Sequence, residues 1–346
     1  FATLECSANL QSVDGDRNNL IVQKGNSDKY ISLYAHLDTV SVVTGWTREP
    51  FRLTIEGDKG YGLGAYDMKG GLAVAIKTFL EFEPKNIGLK LLLCVDEENI
   101  SRGGHKLVNS EYIRNVECVL SSEPAFSYGI NGIVTGRIGR AVFEIDIESP
   151  SKHFMFYEIK SDIISAFSQF ALELNNLLKI DGEKRQFAFV RNIHAESIGM
   201  STPGKISAEI DCAILPPMTN DKMLQELNRL LKKILETQID DNVSGQVKFK
   251  ERETPFLSCY EIDSKDKYLI EMSKSIKLIT GNNAQPYFRS SVADENIFGS
   301  MGIPVIGVGP TGDGAHSRDE YVNLPSLFDL KKIYTEFLRS ADESFA

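Results

Sequence analysis

Three apolar runs restrict the fold of this chain more than any other feature: "YISLYAHLD" at residues 30–38, "LKLLLCVDEE" at 89–98 and "VECVLSSEP" at 116–124. Each is close to continuously apolar, as expected of a strand covered on both faces. Each also stops on acids or a histidine. Between the first two, "KGGLAVAIKTFLEF" carries apolar residues at helical spacing with small residues at its start. Strand, helix, strand in this order is α/β grammar and predicts a mostly parallel sheet.

The pattern changes near residue 136. "AVFEIDIES" alternates apolar and polar, which suits a half-exposed antiparallel strand. "SDIISAFSQFALELNNLLKI" is an amphipathic helix with Ser161 or Asp162 placed to cap it. Two strand-like segments follow, "FAFVRNIHAES" and "KISAEIDCAIL". A second amphipathic helix, "NDKMLQELNRLLKKILETQI", and a last strand, "GQVKFKERE", complete the series. The order β-α-β-β-α-β is that of a ferredoxin-like α+β unit. α/β grammar then returns with the helix "KYLIEMSKSIKLITG", the buried strand "IPVIGVG" and the closing helix "LPSLFDLKKIYTEFLRSADES". The expected organisation is a discontinuous α/β domain, residues 1–135 and 252–346, with an inserted domain at 136–251.

Charge and cysteines narrow the function. A net charge of −10, from 38 basic and 48 acidic side chains, disfavours nucleic acid and anionic membrane as partners. No apolar run approaches the ~20 residues a membrane-spanning helix needs. The opening segment "FATLECSANLQSVDGDRNNL" lacks the basic and apolar regions of a signal peptide. The cysteines are five, widely spaced and without a CxxC pair, so they are expected to be reduced thiols in a cytoplasmic protein.

In an open parallel sheet, ligands bind beyond the carboxyl ends of the strands. The strand ends here deliver His36 and Asp38, then Asp96, Glu97 and Glu98, then Glu123. "IPVIGVG" runs on into "PTGDGAHSRDE" with His316, and the glycine-rich "YGLGAYDMKGG" adds Asp67. Taken singly, each has an ordinary explanation. A histidine after a strand is usually a satisfied loop residue. An adjacent acid pair is usually solvated, and Asp67 has the position of a helix cap. Their coincidence at one sheet edge is what those explanations miss. Carboxylates entering one pocket repel unless a cation is present. A mixed set of histidines and carboxylates suits zinc, with cobalt or manganese as substitutes. Five ligands exceed one four-coordinate ion, so two divalent metal ions sharing a carboxylate are expected.

These pieces, "AHLDTV", "YGLGAYDMKGG", "VDEEN", "SEP", "GRIGR…SPSKH", "GIPVIGVGP" and "GAHSRDEYV", run in order from about residue 30 to 322. Together they resemble the dinuclear-zinc exopeptidases and deacylases that include acetylornithine deacetylase, succinyl-diaminopimelate desuccinylase, aminoacylase and glutamate carboxypeptidase. The resemblance implies a zinc-exopeptidase-like catalytic domain, with the ferredoxin-like insertion as a lid that often makes a homodimer. It implies His36, Glu123 and His316 as terminal ligands, Asp67 as the bridge, Glu98 as a ligand and Glu97 as general base. Asp38 would orient His36. His153 would be the lid histidine that reaches a neighbouring subunit's site and steadies the tetrahedral intermediate. His105 and His194 match no family motif and are expected to be structural.

The chain departs from the family's carboxylate clamp. Met200 stands where similar enzymes carry an asparagine, and Ala213 where they carry an arginine. Arg289, in "FRSSVADEN", is the candidate substitute cation, because a guanidinium pairs bidentately with a carboxylate. Asp294 is either structural or a contact for a substrate amine. The expected activity is amide hydrolysis of a small N-acyl amino acid, of the acetylornithine or acetyl-lysine type. Alternatives are a dipeptidase or carboxypeptidase, or a hydrolase that releases lysine or ornithine from an amino-group carrier protein. A non-catalytic binding protein on the same fold is the reading from another class.

Overall fold

The computed structural model describes residues 6–25, 27–124, 126–159, 162–182, 184–238 and 242–345. Ser161, one of the two candidate caps, lies outside them. By contact the chain divides into two compact units. One comprises residues 1–136, 261–289 and 293–346, and the other 137–260 and 290–292.

The first unit is built on one large sheet. Tyr30–His36, Gly88–Cys94, Val116–Ser121 and Val305–Gly307 form its parallel centre, in the order 88–94, 30–36, 116–121, 305–307. Every residue of Tyr30–His36 and of Gly88–Cys94 is buried, as their unbroken apolar character requires. The hairpin Ser7–Asp14 and Arg17–Lys24 extends one side antiparallel, and Gly132–Arg137 meets the other side antiparallel. The helices Gly70–Glu81, Lys267–Thr280 and Leu324–Glu343 pack together over this sheet. Their shared core includes Val74, Phe79, Met272, Ile276, Leu330 and Phe337. Lys267–Thr280 is capped by Asp266, which accepts from Tyr268 N and Leu269 N. It ends at Gly281 with φ 74°, a left-handed stop that glycine adopts without a Cβ clash. Leu324–Glu343 carries Pro325 in its first turn, where the missing N–H costs nothing.

The second unit is a five-stranded antiparallel sheet carrying the helices Ile163–Glu173 and Asn220–Gln238. Its four main strands lie in the order Ser244–Phe249, Gly139–Glu148, Lys205–Ile214, Lys184–Ala195. That is the ferredoxin-like arrangement. Asp162 caps the first helix through Ile164 N at 3.0 Å. The alternation read in "AVFEIDIES" becomes a split between Phe143, Ile145 and Ile147, all fully buried, and Glu144, Asp146 and Glu148 on the other face. The chain enters and leaves this unit side by side: Arg140 N donates to Leu257 O at 2.9 Å, and a Cβ on Gly139 would lie 2.5 Å from Cys259 N.

Several elements had no signal in the sequence reading. The Ser7–Asp14 hairpin strand is mostly exposed and polar, and a small sheet of Thr54–Glu56, Lys59–Tyr61, Gly312–Asp313 and Tyr321–Asn323 uses strands of two or three residues. Such strands carry too few residues for a periodicity to show. All five cysteines are free. Among the described residues no helix is long and apolar enough to cross a membrane.

Close approach to the ends of the strands is secured by glycines. A Cβ on Gly309 would fall 1.9 Å from the Glu123 carbonyl oxygen, and one on Gly71 would fall 2.2 Å from that of Ser122. Gly309→Ala must therefore displace the segment that carries Glu123. It is expected to cost about 1–3 kcal/mol, the range of overpacking, read as a lowered midpoint in thermal denaturation.

Candidate metal centre

Four strand ends and one turn bring His36, Asp67, Glu97, Glu98, Glu123 and His316 together in the first unit. His36 is the last residue of its strand and is 1% exposed. Its Nδ1 lies 3.0 Å from the Asp38 carbonyl oxygen. A carbonyl only accepts, so Nδ1 carries a proton and Nε2 is left for other partners. Nε2 faces Asp67 Oδ1 at 3.4 Å and Glu123 Oε1 at 3.6 Å. On the far side of Asp67, Oδ2 lies 3.4 Å from His316 Nε2, which is also 3.1 Å from Glu98 Oε2. Asp67 thus turns one oxygen to each histidine, the geometry of a bridging carboxylate.

The electrostatics follow from this crowding. Burial disfavours the His36 imidazolium, yet Asp67, Glu123 and Glu97 outweigh it and hold the proton affinity well above the usual histidine range. Hydrogen bonds to Asp67 and Glu98 raise His316 to about 10. Burial pushes Glu97 well above the carboxylate range, and the Glu123 charge adds to that rise. Burial opposes the Asp67 charge too, but its bonds to His316 and His36 prevail and leave the group well below normal. The raised affinities of both histidines reflect the negative charge gathered around them.

The donor set fits a divalent ion. One ligand atom each from His36, Asp67 and Glu98 lie within 4.8 Å of one another, and so do those of His36, Glu97 and Glu123. The two sets overlap at His36 and outline one dense cluster of N and O donors, while the carboxylate placed between two histidines is Asp67. Glu97 therefore also falls within ligand distance, alongside its expected role as base.

Asp38 is tied in differently from the sequence expectation. Its carboxylate lies 3.7 Å from His36 Nδ1 and instead accepts from Glu97 N at 3.2 Å and Glu98 N at 3.0 Å. The main-chain carbonyl aims the histidine, while the side chain holds the acid pair. Asp96 leaves the set altogether. It is 1% exposed and pairs with Arg17 at 2.7 Å and Arg102 at 2.9 Å. Arg289 joins the edge of the set, with its guanidinium 3.7 Å from Glu123 and 4.1 Å over the Phe126 ring.

Of the two roles open to Asp294, its surroundings favour the structural one: it is fully buried, and Tyr34 OH donates to it at 2.8 Å. His153 belongs to the other unit, where its Nδ1 accepts from Met155 N at 3.3 Å at the start of the short helix Phe154–Phe156. Met200 is exposed and Ala213 is buried on its strand. The sequence reading missed Glu320. It is 1% exposed and accepts from three backbone amides of the turn that carries Asp67. The only signal was an acid four residues after His316.

The model of peptidase family M20/M25/M40 matches residues 32–340. The chain belongs to that family. It is 28% identical over 341 residues to the succinyl-diaminopimelate desuccinylase of Pseudoalteromonas atlantica (strain T6c / ATCC BAA-1087), covering 94% of this chain and 87% of that protein. Among solved structures it is similar to aminopeptidase PepT from Bacillus cereus ATCC 10987, with a TM-score of 0.75 at 16% identity, covering 97% of this chain and 89% of that one. A Bacillus subtilis dinuclear metal binding peptidase from the M20 family gives a TM-score of 0.72 at 16% identity, covering 97% and 88%. These structural likenesses show the fold. Family membership makes this chain a hydrolase of amide or peptide bonds, on a zinc-exopeptidase-like α/β domain with a ferredoxin-like insertion.

The two bonds of Asp38 to the acid pair can be broken without removing a ligand. In Asp38→Asn one amide N–H must face the N–H of Glu97 or Glu98. Activity is expected to fall about 10–100-fold, the usual cost of losing a group that supports metal ligands. Circular dichroism should show the fold retained.

Proposed function

We propose that the protein is a two-metal hydrolase that cleaves the amide of a small N-acyl amino acid, of the acetylornithine or acetyl-lysine type. Asp67 carries the reading, because it turns one carboxylate oxygen towards each of two histidines. His36 and Glu123 would hold one ion and Glu98 and His316 the other, with Asp67 as the carboxylate they would share. Zinc suits this donor set best, and cobalt or manganese could substitute. The similarity to a desuccinylase, whose name describes removal of an acyl group from a diamino acid, supports an N-acyl amino acid over a dipeptide.

Bound ions of this kind lower the pKa of water towards neutrality and polarise the scissile carbonyl. The protein supplies the remaining steps. Glu97, held by its amide on Asp38, takes the proton from the attacking water and returns it to the departing amine. Its buried position among other acids favours holding a proton between those two transfers. Arg289 receives the substrate carboxylate in place of the clamp lost at Met200 and Ala213. A homodimer through the inserted domain and a cytoplasmic setting complete the proposal.

Glu97→Gln separates base from ligand. As the base, its loss is expected to lower kcat about 10²–10⁴-fold while elemental analysis still finds both metals. Loss of one metal from this variant would instead make Glu97 a ligand. A panel of N-acetyl, N-succinyl and dipeptide substrates on the zinc- or cobalt-loaded protein, read by free amine release, tests the substrate class. Turnover confined to dipeptides would overturn the deacylase reading.

A further inference from the structure

We propose that Glu320 is a positioning residue that sets Asp67 in its bridging orientation before any ion arrives. The proposal rests on the two-metal reading above. Glu320 lies four residues beyond His316, and its side chain is buried. Oε2 accepts from Gly64 N at 2.7 Å, and Oε1 accepts from Tyr66 N at 2.9 Å and Asp67 N at 2.8 Å. Its own carbonyl accepts from Gly62 N at 3.0 Å. One residue therefore takes four amides of the turn Gly62–Asp67, and three of them close on a single carboxylate. Successive backbone N–H groups pointing into one concavity form an anion nest, here filled by a side chain of the same protein.

The choice of a carboxylate is informative. A further buried acid beside Asp67 adds like charge, which is unfavourable. A glutamine would remove that charge, but both oxygens of Glu320 already accept from N–H donors. An amide nitrogen at either end would confront a donor and leave it unsatisfied in a buried site. Only an acceptor with two equivalent ends fits the turn. The same short segment carries His316, whose Nε2 is 3.4 Å from Asp67 Oδ2. Glu320 thus ties two ligands of the second ion to one reference point, while His36 and Glu123 are held by strands.

The consequence is selective: losing Glu320 should weaken the second ion more than the first. The test is calorimetric titration of Zn²⁺ or Co²⁺ into chelator-treated full-length protein, comparing wild type, Glu320→Gln and Glu320→Asp. Wild type is expected to take two ions. Glu320→Gln should keep the first and bind the second about 10–100-fold more weakly, with Glu320→Asp partly restored because it keeps the paired acceptors. Hydrogen exchange on metal-free wild type supplies an arm that needs no variant, since the amides of Gly64, Tyr66 and Asp67 should already be protected. Wild-type affinity for both ions in Glu320→Gln would overturn the proposal. So would unprotected exchange of those three amides in the metal-free wild type, which decides the matter if the variants do not fold. Failure of wild type to bind any ion would sink the two-metal reading instead.

Discussion

A pocket with more carboxylates than histidines cannot hold itself together. His36 Nε2 faces Asp67 and Glu123, and His316 Nε2 faces Asp67 and Glu98, so three carboxylates crowd on two rings. In water such groups would drift apart. Here each is fixed by structure that does not depend on the others. His36 ends a fully buried strand, Glu97 and Glu98 hang from the Asp38 carboxylate, and Glu123 follows the neighbouring strand. The large sheet with its covering helices is the device that keeps like-charged groups close enough to demand a cation. Rigid elements place such groups more sharply than loops can.

The sequence disclosed the parts of the molecule whose physics is local or periodic. Continuous burial of Tyr30–His36 and Gly88–Cys94 leaves an apolar run that any reader sees, and the alternation in Gly139–Glu148 marks a one-sided sheet. The set His36, Asp67, Glu98, Glu123 and His316 was legible because strand ends converge on one edge by topology. What stayed hidden depends on direction rather than composition. Asp96 and Glu97 are adjacent acids, but the left-handed φ of 72° at Asp96 coincides with its turn towards Arg17 and Arg102 while Glu97 enters the site. Asp294 sits in a segment that reads as functional, yet it is fully buried against the Tyr34 hydroxyl. Asp38 was expected to aim His36 with its side chain, and the main chain does so instead. No residue pattern distinguishes a carbonyl from a carboxylate as the partner of a ring nitrogen.

The relatives place these details in a common frame without dictating them. The fold is shared at 16% identity with the peptidases it resembles in structure, so the same strand order tolerates wide change in sequence. A mutation that moves a strand end acts on several ligands at once. One that changes a loop acts on a single group.

The side-by-side entry and exit of the inserted domain has a consequence for how such a chain can change over time. Arg140 and Leu257 are joined by a backbone hydrogen bond although 116 residues lie between them, so the domain begins and ends at one point. Bridging that point with a short turn would leave the path of the remaining strands unaltered, and lengthening the excursion adds only slowly to the entropy of closing it. Such a junction behaves as a socket. Modules can be gained, lost or exchanged at such a point by recombination.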